Sequence, residues 1–329
     1  MGVYRMKLKY IKELKNIGKL SNFIDNPYLA LLQYVERKEF INLKINNQNI
    51  KVSKKLFEQL IYSILNNMIL SIELSGDQMI INKKEIRIFS CNRKYFDDNL
   101  ILALNLSKEA KKLGWKVEDG LWTNGKVRFL VMLGILMETF NYNMYYIEGI
   151  KGRDVVDIGG SIGDTAIFYK INGARNVISL ELLSLPYNLA KMHIRINSIT
   201  GVNFIRGALV PEKQNVNVPR CYPLYGSGGF SIQNDSFNDN EEVPTYTLSD
   251  IMPEDPYILK MDCEGCEYDI ILKDYDLVRK FDVIVFEIHE YITHIPHKVL
   301  LDKLNADYDC NIYEIEGHPI VKCFKKANN

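Results

Sequence analysis

Val155-Val156-Asp157-Ile158-Gly159-Gly160-Ser161-Ile162-Gly163-Asp164-Thr165 decides the fold of this chain. An apolar run ends in an acid, passes through glycines and opens a segment of helical spacing, DTAIFYKING. Strand, tight turn and helix are the parts of a βαβ unit. Gly159 and Gly163 suit a backbone that must pass close to a ligand and take φ values closed to residues with a Cβ. The helix start adds free N–H groups and the positive end of a dipole. The glycines fall at 159, 160 and 163, so this is no G-x-G-x-x-G fingerprint. Nor does a Gly-Lys-Ser/Thr follow to make a P-loop.

An acid at the strand end would repel a pyrophosphate. It suits a ligand carrying both an ammonium and a carboxylate, such as the methionine part of S-adenosylmethionine. Glu181 ends the next strand, NVISLEL, 24 residues beyond Asp157 (181 − 157). An acid there can accept hydrogen bonds from both hydroxyls of a ribose. Further on come the helix SLPYNLAKMHIRINSI, the strand NFIRGALV and a polar loop from Pro211 to Glu242 that could close over a substrate. The strand YILKMDC, the helix EYDIILKDYDLVRKF, the strand DVIVFEIHE, the helix HKVLLDKLNAD and the hairpin YDCNIYEIEG-HPIVKCFKK follow. Alternation of this kind predicts an α/β, doubly wound, mostly parallel sheet with one antiparallel strand at or near its edge.

Ligands of such sheets bind beyond the carboxyl ends of the strands. Asp262 and Glu264 follow the fourth strand, and Glu287 and His289 end the next. Acids and a histidine converging on one rim are raw material for general-base chemistry or for a metal. Asp262 is the first candidate base and His289 the second. Asp262, Glu264 and a third oxygen would suit Mg²⁺, but no metal is expected from the sequence. Cys263 and Cys266 have no second pair at zinc spacing and read as packing residues. Glu267 reads as a helix N-terminal acid.

DIGGSIGDTAIFY, VISLEL, YGSGGFSI before VPTYTLSDI, and KMDCEGCEYD together resemble the FkbM-type S-adenosylmethionine-dependent methyltransferases. The resemblance covers roughly residues 119–289, and DGLWTNGKVRF and METFNY read like the lead-in of archaeal members. It implies a class I, Rossmann-like, seven-stranded fold and methyl transfer, usually to oxygen, with S-adenosyl-L-methionine as cofactor. Carried over, Asp157, Gly159, Gly160, Ser161, Gly163, Asp164 and Thr165 form the cofactor turn, with Glu181 on the ribose and Asp262 beside it. Lys260, Asp262, Glu264 and Glu267 form the block at the reaction face, so Lys260, Asp262, Glu264 and His289 are the catalytic candidates. Ser161 stands where many members have Asn, and Gly160 where many have Ala.

The remaining sequence bounds the function. Of 329 residues, 41 are Lys or Arg and 41 Asp or Glu, so the net charge is 41 − 41 = 0. That disfavours a nucleic-acid methyltransferase, which is kept as an alternative alongside a non-catalytic cofactor-binding scaffold. The longest apolar run, Phe129 to Met137, falls far short of the roughly 20 residues of a membrane span. The start, MGVYRMKLKYIKELKNIGKL, lacks the apolar core of a signal peptide, and Met6 stands where a myristoylation signal wants Ser or Thr. Six scattered cysteines read as reduced thiols of a cytoplasmic protein. Residues 1–112 read as an α+β extension that selects substrate or partner, and 113–329 as the methyltransferase domain. In the extension Ser53 should cap a helix through KKLFEQLIYSILNNMILSIEL, beside the hairpins FINLKI-NNQN-IKV and MIIN-KK-EIRIF. The expected acceptor is a small molecule or glycan, and a homo-oligomer is left open.

Overall fold

The structure, a computed structural model, describes residues 17–65, 69–75, 78–83, 87–91, 106–220, 222, 224–232 and 240–327. The chain divides into two compact units, Met1–Met132 with Pro223–Tyr225 and Leu133–Tyr222 with Gly226–Asn329. The expected helical start falls largely on residues 1–16, outside the described residues.

In the first unit Ser53 Oγ accepts the N–H of Leu56 at 3.1 Å and helix Lys54–Leu65 follows, as the capping pattern predicts. The helix does not run on through SIEL. Ile69–Ser75 is instead a strand paired with Gln78–Lys83, which pairs in turn with Arg87–Cys91. Ile72 and Leu74 are buried while Glu73 is exposed, a period of two that sheet pairing converts into a strand. Phe40–Ile45 pairs with Gln48–Ser53 and turns over Asn46 and Asn47 alone, at φ 49° and 62°. Gln48 and Asn49, expected in the turn, join the ladder because two left-handed Asn residues already make a tight hairpin.

The second unit holds a seven-stranded sheet. Its elements are α1 (Gly134–Phe140), β1 (Asp154–Ile158), α2 (Asp164–Ile171), β2 (Asn176–Glu181), α3 (Ser184–Ile196), β3 (Val202–Arg206) and β4 (Pro256–Met261). They continue with α4 (Cys266–Lys273), β5 (Val283–Glu287), α5 (His297–Leu304), β6 (Tyr308–Ile315) and β7 (His318–Lys325). The strand order is β3-β2-β1-β4-β5-β7-β6. All neighbours are parallel except β7, which is antiparallel to both β5 and β6. This is the expected α/β, doubly wound, mostly parallel sheet of seven strands. Helices cover both faces of the central strands, so β1 is buried at every residue, its two aspartates included. Leu259, Met261, Ile284 and Phe286 pack with Tyr268, Ile271 and Leu300 on one face, while Val155, Ile258 and Val285 pack with Tyr169 and Tyr145 on the other.

Three local expectations change. The helix expected over EYDIILKDYDLVRKF breaks at Asp274 into α4 and a short turn, Tyr275–Val278. The polar loop from Pro211 is partly a ladder, Val216–Pro219 with Asn240–Val243. Four of the cysteines are not free thiols: Cys263 bonds Cys266, and Cys310 bonds Cys323, its cross-strand partner in the β6–β7 ladder. Sequence spacing could not reveal the second pair, because the partners become neighbours only once the hairpin register is set. No described helix is long and apolar enough to cross a membrane.

Candidate active site

From β1 the chain runs outward to β3 and then returns to β4 on the other side of β1, so a crevice opens between the ends of β1 and β4. The glycine turn fills the floor of that crevice. Gly159 sits at φ 75°, and a Cβ there would lie 1.8 Å from the carbonyl oxygen of Asp262. A Cβ on Gly160 would lie 2.1 Å from Ser179 Oγ. Beneath the turn Asp157 is fully buried and accepts hydrogen bonds from Thr165 Oγ1 and Ser179 Oγ, both at 2.8 Å. Its other oxygen faces Lys260 Nζ at 3.2 Å. Lys260 also donates to the carbonyls of Gly159 at 3.0 Å and Ile158 at 3.3 Å. Burial works against the ammonium, but the carboxylates of Asp157, Asp262 and Asp164 outweigh it and hold the pKa above its ordinary value.

A cavity of about 340 Å³ lies above, lined in part by Gly159, Ser161, Glu181, Leu183, Phe230 and Asp262. Glu181 accepts the N–H of Ser161 at 3.0 Å and of Leu183 at 2.7 Å. Burial pushes its carboxyl up to about 7. Asp262 and Glu264 stand on the cavity wall, joined by Glu138, Glu287, Tyr291 and His318. Tyr145 donates to Asp262 Oδ2 at 2.8 Å, and Tyr291 donates to Glu264 Oε2 at 3.0 Å. Behind them His289, 1% exposed, meets Glu267 Oε1 through Nδ1 at 2.7 Å. Its Nε2 points toward Glu264 Oε2 at 3.4 Å and Asp262 Oδ1 at 3.8 Å. Burial opposes charge on this ring, but the Glu267 hydrogen bond and the charges of Glu267, Asp262 and Glu264 prevail and raise it to about 10.

Residues 157–310 match the methyltransferase FkbM domain family. Over those residues the chain is similar to the FkbM methyltransferases. It is a methyltransferase, and its cofactor is S-adenosyl-L-methionine. No curated protein matches the chain. Similar solved structures include a methyltransferase from Pyrococcus furiosus, 11% identical with TM-score 0.38, over 70% of this chain and 100% of that one. Precorrin-6y C5,15-methyltransferase from Geobacter metallireducens GS-15 is 14% identical with TM-score 0.35, over 54% and 84%. M. capricolum TrmK in complex with S-adenosyl-homocysteine is 12% identical with TM-score 0.34, over 57% and 68%.

The FkbM cavity fits that cofactor. Each Glu181 oxygen spends one lone pair on a backbone N–H and keeps another for a ribose hydroxyl. Leu180, Leu182, Leu183 and Leu209 supply apolar wall for an adenine, and the Gly159–Ser161 backbone lies open beside Asp262. Of the expected cofactor set, Gly159, Ser161, Glu181 and Asp262 line the cavity. Asp157, Gly160, Gly163, Asp164 and Thr165 lie behind it. Gly163 caps α2 at φ 83°, and Asp164 accepts the Thr139 hydroxyl at 2.7 Å with its pKa pushed by burial to about 7.

Two expected reaction-face groups are placed differently. Lys260 is 1% exposed and spent on Asp157 and the turn carbonyls, so it cannot meet a substrate in the cavity. Glu267 is fully buried; it accepts the Gly265 N–H at 3.3 Å and holds His289. Sequence reasoning missed Glu138, Tyr145, Tyr291 and His318. Tyr145 is 117 residues from Asp262, and no local pattern joins them. His318 was within reach of a topological argument, since an antiparallel β7 starts where β5 ends and meets Glu287 at 2.8 Å.

Proposed function

We propose that this domain methylates a hydroxyl oxygen of a sugar, glycan or other small molecule, with Asp262 as proton acceptor. The observation that carries the reading is the Asp262 carboxylate on the cavity wall, between the cofactor turn and a histidine already held in its charged form. S-adenosylmethionine supplies an electrophilic methyl group on a sulfonium. The chain must then align the acceptor oxygen and receive its proton. His289, raised to about 10, holds its proton at neutral pH and cannot accept another. Asp262 can: Tyr145 fixes its rotamer, and desolvation first, then the neighbouring carboxylates, keep that phenol protonated and donating. Glu264 borders the acceptor position. Lys260 is a positioning residue that ties the turn to β4, and Asp157, Gly160, Gly163, Asp164 and Thr165 shape that turn from behind.

Residues 1–112 are proposed to select the acceptor or a partner. A neutral chain gives no general footprint for the nucleic-acid alternative, and the retained Asp157, Glu181 and Asp262 set speaks against a scaffold without activity. The cytoplasmic location is part of the proposal; detection of the protein in the cytosolic fraction of lysed cells tests it.

The test is a labelled-methyl screen over sugars, glycans, lipids and RNA, followed by kinetics on the acceptor found. Asp262→Asn should lower kcat by about 10²–10⁴-fold while changing cofactor affinity little. Labelling of RNA alone, or a loss of only a few-fold in Asp262→Asn, would overturn the reading.

A further inference from the structure

His289 is buried to 99%, and its Nε2 has no hydrogen-bond partner. A buried ring nitrogen without a partner is costly and rare. This one is also aimed. Asp262 Oδ1 lies 3.8 Å away, Glu264 Oε2 3.4 Å and Glu287 Oε1 4.0 Å, so three carboxylates surround one unsatisfied donor atom. Donor atoms of Asp262, Glu264 and His289 all fall within 4.8 Å of one another. Two ligands each about 2.1 Å from a common ion stand about 3.0–3.5 Å apart, so modest inward movement of Asp262 completes a coordination sphere.

The surroundings are built as the outer shell of a metal site is built. Nδ1 of His289 is engaged by the buried Glu267 at 2.7 Å; that contact fixes the ring and leaves Nε2 turned to the carboxylates. Tyr145 holds Asp262 through Oδ2 and leaves Oδ1 toward His289. Tyr291 holds Glu264 at 3.0 Å, and His318 holds Glu287 at 2.8 Å. Each candidate ligand therefore has its own orienting partner on a different element. We infer that Asp262, Glu264 and His289, with Glu287 beside them, bind a divalent transition cation at the acceptor end of the cavity, the ion displacing the Nε2 proton of His289 to solvent. One imidazole among carboxylates points to the Mn²⁺ class, extending to Zn²⁺, over the all-oxygen shells of Mg²⁺ and Ca²⁺. Cys263 and Cys266 are bonded to each other and offer no thiolate.

The placement at the acceptor rests on the proposed function; cation binding itself does not. A cation there would hold the acceptor oxygen and favour its deprotonated form, while Asp262 Oδ2 keeps a lone pair for the proton. It would also neutralise a wall crowded with Glu138, Asp262, Glu264 and Glu287.

Chelator-stripped full-length protein, titrated with MnCl₂ and followed by loss of the free Mn²⁺ paramagnetic resonance signal, should take up one ion per chain. His289→Ala and Asp262→Asn should each weaken uptake at least tenfold. Glu267→Gln should weaken it about 10–100-fold through the ring it orients. Asp302→Asn, on the exposed face of α5 and paired with Lys298, should change nothing. Should His289→Ala fail to fold by circular dichroism, Asp262→Asn carries the test, since its side chain is already 23% exposed. S-adenosylhomocysteine binding is measured on the same samples. Cofactor product bound without Mn²⁺ uptake overturns the cation site and spares the methyltransferase reading. Mn²⁺ uptake that survives both His289→Ala and Asp262→Asn overturns it as well.

Discussion

Glu181 shows how one buried acid can serve stability and binding in opposite senses. Burial raises its pKa from an ordinary 4.5 to about 7. In the unfolded chain it ionises first, so its contribution to stability is full below about pH 4.5 and is lost as pH rises toward 7. Cofactor binding runs the other way. In the proposed binding mode two ribose hydroxyls would donate to it, and the ionised carboxylate is the better acceptor, so affinity should increase as pH passes through about 7. Asp164, Glu138 and Glu264 are raised by burial to a similar range, which makes the variant necessary. Glu181→Gln turns an amide N–H₂ toward a backbone N–H, of Ser161 or Leu183. We expect it to weaken S-adenosylhomocysteine binding by about 1–3 kcal/mol and to flatten the pH slope between about pH 6 and about pH 8. Calorimetry across that range checks both. An unchanged slope would assign the dependence to Asp164, Glu138 or Glu264.

At the scale of elements, the glycine turn was legible because its constraints are local. A strand end, an acid and glycines at 159, 160 and 163 can be read without knowing what packs on them. Why Gly159 is needed was not legible: the clash is with the carbonyl of Asp262, more than a hundred residues away, and exists only once β4 lies beside β1. Lys260 is the converse case. The sequence block put it beside Asp262 and Glu264, yet Lys260 still lies within β4, where its register opposite Asp157 of β1 keeps the side chain buried on that carboxylate. His289 and Glu267 were both noticed, but their partnership depends on the packing of α4 against the end of β5. Substitution should rank the glycines accordingly. Gly159→Ala places a Cβ 1.8 Å from a backbone oxygen at φ 75°, so neither partner can yield cheaply. Gly163→Ala meets Ala190, at 3.0 Å from its Cβ and 3.2 Å from its Cα, contacts that a shift of a few tenths of an ångström relieves, and adds left-handed strain of about 1–2 kcal/mol. We expect Gly159→Ala to abolish cofactor binding with a large fall in Tm, and Gly163→Ala to fold with a smaller fall. Thermal melts with and without S-adenosylhomocysteine measure this, and equal effects would contradict the packing described for the turn.

At the scale of the whole molecule, the cofactor half explains itself and the first half does not. Every residue lining the cavity belongs to the second unit, Leu133–Tyr222 with Gly226–Asn329. The sheet, the turn and the Asp262 rim are complete within it, so the donor side of the reaction has no need of residues 1–112. An acceptor, however, must be chosen, and a neutral chain cannot choose it by bulk charge. The amphipathic helix Lys54–Leu65 and the hairpin Phe40–Ile45 with Gln48–Ser53 form a unit with its own buried residues, among them Ile41, Leu43, Val52, Leu56 and Leu60. That is the makeup of a separate compact unit, to which the proposal assigns the choice of acceptor. Residues 113–132 belong to the first unit, so expressing 113–329, which keeps the whole second unit, should leave S-adenosylhomocysteine affinity within a few-fold of the full chain. Methyl transfer to the native acceptor should fall sharply or spread over many acceptors in the labelled-methyl screen. If the truncated chain transfers to the same acceptor with unchanged kcat/KM, residues 1–112 select nothing. If it folds yet loses cofactor affinity, the first unit supports the cavity instead of recognising the acceptor.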